Sequence, residues 1–230
     1  HEDPRRQRQM CIRDSNATHV NFGSVLDSDG QMLKSRAGHT VKLVDLLREA
    51  VSRAKDLISL KNPHLKGEEK ELVSKMIGIG AVKYADLSTD RARDYTFDWE
   101  KMLSFEGNTA PYLQYSHARI CRIFSLSIMD RDDVKDANVI IGTEEELNLA
   151  RCIMNFSEVV DNASSTLHPH KLCTHIHSTS SAFASFYEAC PILKTEDEAL
   201  MKSRLALCDL TARSISIGLG LLGIQSPEKM

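Results

Sequence analysis

The chain has 230 residues, of which 42% are hydrophobic and 27% charged, with a formal net charge of −3. This is globular composition for one or two domains, and apolar runs of about five residues are far short of a bilayer span. The acidic balance gives no compositional sign of a nucleic-acid partner, so any RNA would have to meet cations gathered on one face. Six cysteines are scattered without paired spacing, which points to buried free thiols in a reducing compartment, the cytoplasm or an organelle, rather than to a disulfide framework.

In chain order, residues 1–15 read as foreign. The stretch Met10-Cys11-Ile12-Arg13-Asp14-Ser15 back-translates to the mosaic-end DNA of transposon library adapters, so residues 1–15 are set aside from fold reasoning. Ala17–Val25 suits a short extended segment, and Asp27-Ser28-Asp29-Gly30 is a turn signal. A basic loop follows, in which Lys34 and Arg36 stand between that turn and a helix start. Such a loop can place two cations on a phosphate, although short basic surface turns are common.

From Thr40, a plausible N-cap, the pattern is helical. Leu43, Leu46, Leu47, Ala50, Ala54, Leu57 and Ile58 recur at three-four spacing, and Asn62-Pro63 ends the run. A second helix is predicted from Glu68 to Leu87 with the stripe Leu72, Met76, Ile79, Val82 and Lys83, its Gly78 and Gly80 permitting close packing. Asn108-Thr109-Ala110-Pro111 opens another helix, a cap followed by proline. Thr143…Glu146 and Thr195…Glu198 read as capping boxes. The first starts a face of Leu147, Ala150, Met154 and Ser157, and the second a seam from Met201 through Leu205, Cys208, Ala212, Ile215 and Leu219 to Leu222. Leu172, Ile176, Thr179, Phe183 and Phe186 form a further stripe, and Gly223 can stop the last helix. No strand-rich segment is expected after Val25, and the fold class is mainly α, an antiparallel helical bundle.

Three clusters could carry chemistry. Ser88–Trp99, with charges of alternating sign and aromatics, reads as a surface ion-pair patch or as a corner that fixes one helix pair against another. On Pro111–Ile120, Tyr112, Ser116 and Arg119 share one face, as do Tyr115 and Arg122. Tyrosine beside arginine offers a stacking surface and a phosphate clamp for unstacked RNA bases, or else simply half-buried tyrosines. His168, His170, Cys173, His175 and His177 crowd into ten residues, but the spacing matches no standard zinc site, so a polar helix face carrying imidazoles is expected and no bound metal.

Several long motifs in order carry a resemblance. They are Asn21-Phe22-Gly23-Ser24-Val25, the run from Asp29 through Leu33-Lys34-Ser35-Arg36 to Leu47, Gly80-Ala81-Val82-Lys83-Tyr84-Ala85-Asp86-Leu87-Ser88, Asn108-Thr109-Ala110-Pro111-Tyr112-Leu113-Gln114-Tyr115, and the closing Pro227-Glu228-Lys229-Met230. Over Thr18–Met230 the chain resembles the C-terminal part of arginyl-tRNA synthetases. The resemblance implies a class I ligase that joins arginine to tRNA-Arg with ATP and Mg through an arginyl-adenylate, its His-Ile-Gly-His motif lying upstream in a Rossmann half absent from these residues. It makes 16–105 the end of the α/β catalytic domain and 106–230 the helical anticodon-binding domain. Leu33-Lys34-Ser35-Arg36 is similar to the family's variant of the Lys-Met-Ser-Lys-Ser loop, so Lys34 would stabilise charge on the ATP phosphates with Arg36 assisting. Asp209-Leu210-Thr211-Ala212-Arg213 departs from the Asp-Ala-Leu-Arg motif but keeps its Asp and Arg. The resemblance places tRNA contacts near Tyr115, near the Phe186-Tyr187 pair and at Met230, and the tyrosine–arginine pattern adds Tyr112 and Arg119 as tRNA-binding candidates. The chain alone is expected to be inactive, and a stand-alone helical tRNA-binding module is the alternative.

Overall fold

The computed structural model describes residues 18–26, 30–31 and 42–230. Lys34, Arg36, the Thr40 cap and the foreign-looking residues 1–15 lie outside the described residues. The elements run β1 (Val25–Leu26), α1 (Leu43–Lys61), α2 (Gly67–Leu87), β2 (Tyr95–Thr96), α3 (Trp99–Met102), α4 (Ala110–Leu126), α5 (Arg131–Val134), α6 (Glu144–Met154), α7 (Phe156–Thr166), α8 (Pro169–Ala189) and α9 (Glu198–Leu221).

Local chemistry sets most helix ends. Thr109 caps α4 by accepting from the Tyr112 N–H, with Pro111 in the first turn. Thr143 and Glu146 form the reciprocal capping box of α6. Gly223, at φ 69°, closes α9 in the left-handed conformation that glycine adopts without strain. The expected Thr195 box is not formed. Asp197 caps α9 through the N–H groups of Ala199 and Leu200, while the Thr195 hydroxyl donates to the Pro191 carbonyl.

Three apolar clusters hold the helices together. Ala54 and Ile58 of α1 meet Val73, Ile77 and Ala81 of α2, with Met102 and Leu103. Tyr84 of α2 joins Leu113 of α4, Leu172 and Ile176 of α8, and Ile215 and Leu219 of α9. Ile120 and Ile123 of α4, Leu149 of α6, Phe183 and Phe186 of α8, and Leu205 and Cys208 of α9 form the third. Helix α9 therefore packs against α4, α6 and α8, as its long apolar seam requires.

Two predicted faces are displaced. On α2 the buried positions are Val73, Ile77, Ala81 and Tyr84, and Leu72 is exposed. The glycines explain the shift: a β-carbon on Gly78 would stand 2.7 Å from the Ala50 carbonyl, so the face against α1 is the one without bulk. On α6 the buried positions are Glu146 and Leu149, whereas Met154 is exposed and Ser157 belongs to α7, because the helix ends at Asn155. The carboxylate of Glu146 is drawn inward by Arg204, whose Nε donates to Oε1 at 2.8 Å.

The Ser88–Trp99 segment forms a corner and supplies the strand not foreseen. β2 pairs with β1 in parallel, Val25 opposite Tyr95. Arg91 donates through Nη1 to the Asn21 carbonyl at 3.0 Å and through Nε to the Leu167 carbonyl at 2.8 Å. It thus ties the N-terminal strand segment to the turn between α7 and α8, where Leu167 takes a left-handed φ of 56°.

A candidate RNA-binding groove

Helix α4 carries the first pair of site residues. Tyr115 and Arg119 are one turn apart, and the guanidinium lies 5.0 Å from the Tyr115 ring centre while Nη2 donates to its hydroxyl at 3.2 Å. From α8, Tyr187 brings a second ring to the same cation at 5.1 Å. Arg119 therefore sits between two half-exposed tyrosines contributed by different helices. Phe186, the neighbour of Tyr187, is fully buried and takes no part.

Tyr115 and Arg119 line a groove of about 770 Å³ whose wall also includes Asn62, His64, Arg122 and the C-terminal Glu228-Lys229-Met230. The tail reaches this position through side-chain clamps. Lys83 Nζ donates to the Gly223 carbonyl at 2.6 Å, and Gln114 Nε2 to the Gln225 carbonyl at 2.7 Å. His117 Nδ1 lies 3.0 Å from the Pro227 carbonyl, and Asn62 Nδ2 donates to the Met230 carbonyl at 2.9 Å. Burial pushes the His117 imidazole below the ordinary histidine pKa against the opposing pull of the Pro227 carbonyl, with the Arg131 charge adding to the depression. Met230 also packs its side chain against the α1–α2 cluster.

The structure thus brings Tyr115, Arg119 and Met230 to the wall of one groove, and Tyr187, which does not line it, reaches it through its contact with Arg119. Tyr112 is placed differently: it packs on the Tyr84 cluster with its ring 5.7 Å from His177, and it does not line the groove. Tyr112, Ser116 and Arg119 do share one face of α4, but Ser116 is buried with its hydroxyl on the Tyr112 carbonyl, so that face is not an open tyrosine–arginine surface. Asn62 and His64 were not foreseen, because their approach to α4 depends on how α1 and α2 pack.

The histidine-rich stretch lies on α8, facing several neighbours rather than one point. His175 stands beside Phe156 and His177 beside Tyr112, and burial lowers the pKa of both. Among the described residues no group of three or more ligating side chains could hold a metal ion, and no helix is long and apolar enough to cross a membrane.

Residues 113–230 match the DALR anticodon binding domain, and residues 8–99 match the catalytic domain of class I (R) tRNA synthetases. The chain belongs to the arginyl-tRNA synthetase family. It is 49% identical over 213 residues to an arginine–tRNA ligase of Cellvibrio japonicus, covering 92% of this chain and 37% of that protein. The corresponding Pasteurella multocida enzyme is 48% identical, with 92% and 38% covered. Among solved structures, the arginyl-tRNA synthetase of Thermus thermophilus superposes with a TM-score of 0.80 at 30% identity, covering 92% of this chain and 35% of that one. That of Plasmodium falciparum gives 0.77 at 31%, with the same coverage. The chain thus spans a little over a third of its curated relatives' length. In the stretch that departs from the Asp-Ala-Leu-Arg motif, the retained Asp209 and Arg213 face one another. Asp209 accepts from Arg131 at 2.7 Å and faces Arg213 at 3.5 Å, so the motif fastens α5 to α9.

Proposed function

We propose that this chain is the tRNA-holding C-terminal part of an arginine–tRNA ligase, which couples arginine to tRNA-Arg with ATP and Mg through an adenylate, in the cytoplasm or an organelle. The observation that carries the reading is Arg119 between the rings of Tyr115 and Tyr187, at the edge of the groove that Met230 also lines. An exposed cation–ring contact is worth about 0.5–1 kcal/mol, whereas a base stacked on an aromatic ring gains about 1–3 kcal/mol. An unstacked anticodon base can therefore displace the guanidinium from one ring and leave it free for a phosphate. Tyr112 supports this arrangement from behind by packing α4 against α8.

Binding of a tRNA-Arg transcript tests the groove. Tyr115→Leu, Tyr187→Leu and Arg119→Gln should each weaken binding by about tenfold, the value of a modest stack, and a minihelix lacking the anticodon arm should bind far more weakly than the whole tRNA. Equal binding of tRNA and minihelix, or full affinity in all three variants, would refute the assignment.

The catalytic role proposed for Lys34 and Arg36 is electrostatic: stabilising charge that develops on the ATP phosphates during adenylate formation. These 230 residues, which span a little over a third of the relatives' length, should not by themselves catalyse arginine-dependent ATP–pyrophosphate exchange; robust exchange would contradict that. In a full-length arginine–tRNA ligase that carries this region, Lys34→Ala should slow arginine activation far more than it weakens tRNA binding, and equal losses in both would remove Lys34 from the chemistry.

A further inference from the structure

The Tyr115–Arg119–Tyr187 stack does not end at Tyr115. The Phe105 ring, on the loop between α3 and α4, meets the Tyr115 ring edge-on at 6.4 Å. Above Phe105, the ammonium group of Lys61, the last residue of α1, stands 5.7 Å from the ring centre. Cation, ring, ring, cation and ring therefore follow one another without a gap from α1 through the 103–109 loop and α4 to α8, the Phe105 and Tyr115 rings standing side by side. Phe105 is half-buried and Lys61 exposed, so the outer end of the series is open to solvent.

We propose that Lys61 and Phe105 form a second RNA subsite, taking the unstacked base next to the one at Tyr115, with Lys61 moving from the ring to the phosphate of that nucleotide. The inference rests on the groove being an RNA site. Three features favour RNA as the occupant. A row of rings with cations beside it is the arrangement that tracks a single strand, whose bases need flat partners and whose phosphates need positive charge. At 5.7 Å, Lys61 is near the outer limit of a cation–ring contact, so a base stacking on Phe105 displaces it readily. Lys61 is followed directly by Asn62, which lines the groove and holds the Met230 carbonyl, so the subsite is continuous with the groove wall. Glu69 and Glu228 are the acidic members of that wall, and Glu69 is engaged by Lys229 at 3.6 Å.

The test is titration of the chain with a tRNA-Arg transcript over a range of salt. Phe105→Leu should weaken binding by about tenfold, while Phe105→Tyr, which keeps a stacking face, should bind like the parent chain. Lys61→Gln should flatten the slope of log affinity against log salt by about 0.7, the loss of one single-strand phosphate contact. Thermal melts check that each variant is folded. If Phe105→Leu and Lys61→Gln keep both the parent affinity and the parent slope while Arg119→Gln weakens binding, the second subsite is refuted and the groove reading stands. If Phe105→Tyr is as weak as Phe105→Leu, Phe105 acts by packing and the subsite is likewise refuted. If Arg119→Gln also binds normally, the groove reading itself fails.

Discussion

Arg204→Met is expected to lower the free energy of unfolding by about 3–5 kcal/mol, because it strands a buried carboxylate. Glu146 is fully buried, and Arg204 is its charged partner at 2.8 Å. The second carboxylate oxygen accepts from the N–H groups of Gly142 and Thr143 at 2.7 and 3.0 Å, completing the cap of α6. Arg204 in turn donates to the Pro191 carbonyl at 2.6 Å and the Thr195 hydroxyl at 3.2 Å, so one ion pair joins the start of α6, the α8–α9 connection and α9. In a chain of this size the loss corresponds to a fall of roughly 10 °C in Tm. Adding Glu146→Gln should restore part of the stability: the amide oxygen can still accept the two backbone N–H groups, and no charge is left behind. Denaturant unfolding of both single variants and the double variant measures the coupling. Arg204→Met within 1 kcal/mol of the parent would mean that water reaches the carboxylate.

The same pair makes stability depend on acid. Burial raises the Glu146 pKa, but the Gly142 N–H, the Arg204 hydrogen bond and charge, and the Thr143 N–H outweigh it, and the net shift is downward. A carboxyl whose folded pKa lies below its unfolded value takes up a proton more readily when unfolded. Its contribution is complete above the unfolded glutamate value of about 4.3 and is lost as pH falls through the folded value. The gap between the parent chain and Arg204→Met should therefore be widest near neutrality and close below about pH 4.

What was legible in the sequence is what chemistry decides within one or two turns. The Thr109 and Thr143 caps, the Asn62 stop and the α8 stripe each depend on residues at most four apart, and each is where the sequence places it. Thr195 failed as a cap because Asp197, two residues on, offers a better acceptor and the Thr195 hydroxyl finds the Pro191 carbonyl instead. The α2 face was misread because side-chain hydropathy is blind to glycine, and the α1–α2 contact is built on Gly78. The groove divides in the same way. Tyr115 and Arg119 meet because they are four apart on one helix. That Tyr187 completes the stack follows from α4 and α8 packing together, which spacing could not reveal and only the family resemblance suggested. Phe105 and Lys61 come from a loop and a helix end, with no periodic signal.

Gly78→Leu should destabilise the chain by about 3 kcal/mol and weaken tRNA binding as well. A β-carbon there would lie 2.7 Å from the Ala50 carbonyl carbon and oxygen and from the Val51 Cα. Those atoms are helix backbone and cannot rotate away, so α1 must move as a body. Helix propensity works in the opposite direction, since replacing a mid-helix glycine gains up to about 1 kcal/mol; steric displacement must exceed that for the sign to be unfavourable. Gly220→Ala isolates the propensity effect. Among the described residues no atom beyond its own helical turn lies within 4 Å of the β-carbon it would add, so that variant should gain about 0.5 kcal/mol. Displacement of α1 also carries Lys61 and Asn62 away from Phe105 and Met230, which are held by a cation–ring contact and one hydrogen bond. Thermal denaturation and tRNA titration of Gly78→Leu should therefore fail together, whereas Gly220→Ala leaves binding unchanged. A destabilised Gly78→Leu that binds tRNA with full affinity while folded would separate α1 from the groove, and a stabilised one would mean that α1 and α2 pack less closely than the 2.7 Å approach requires.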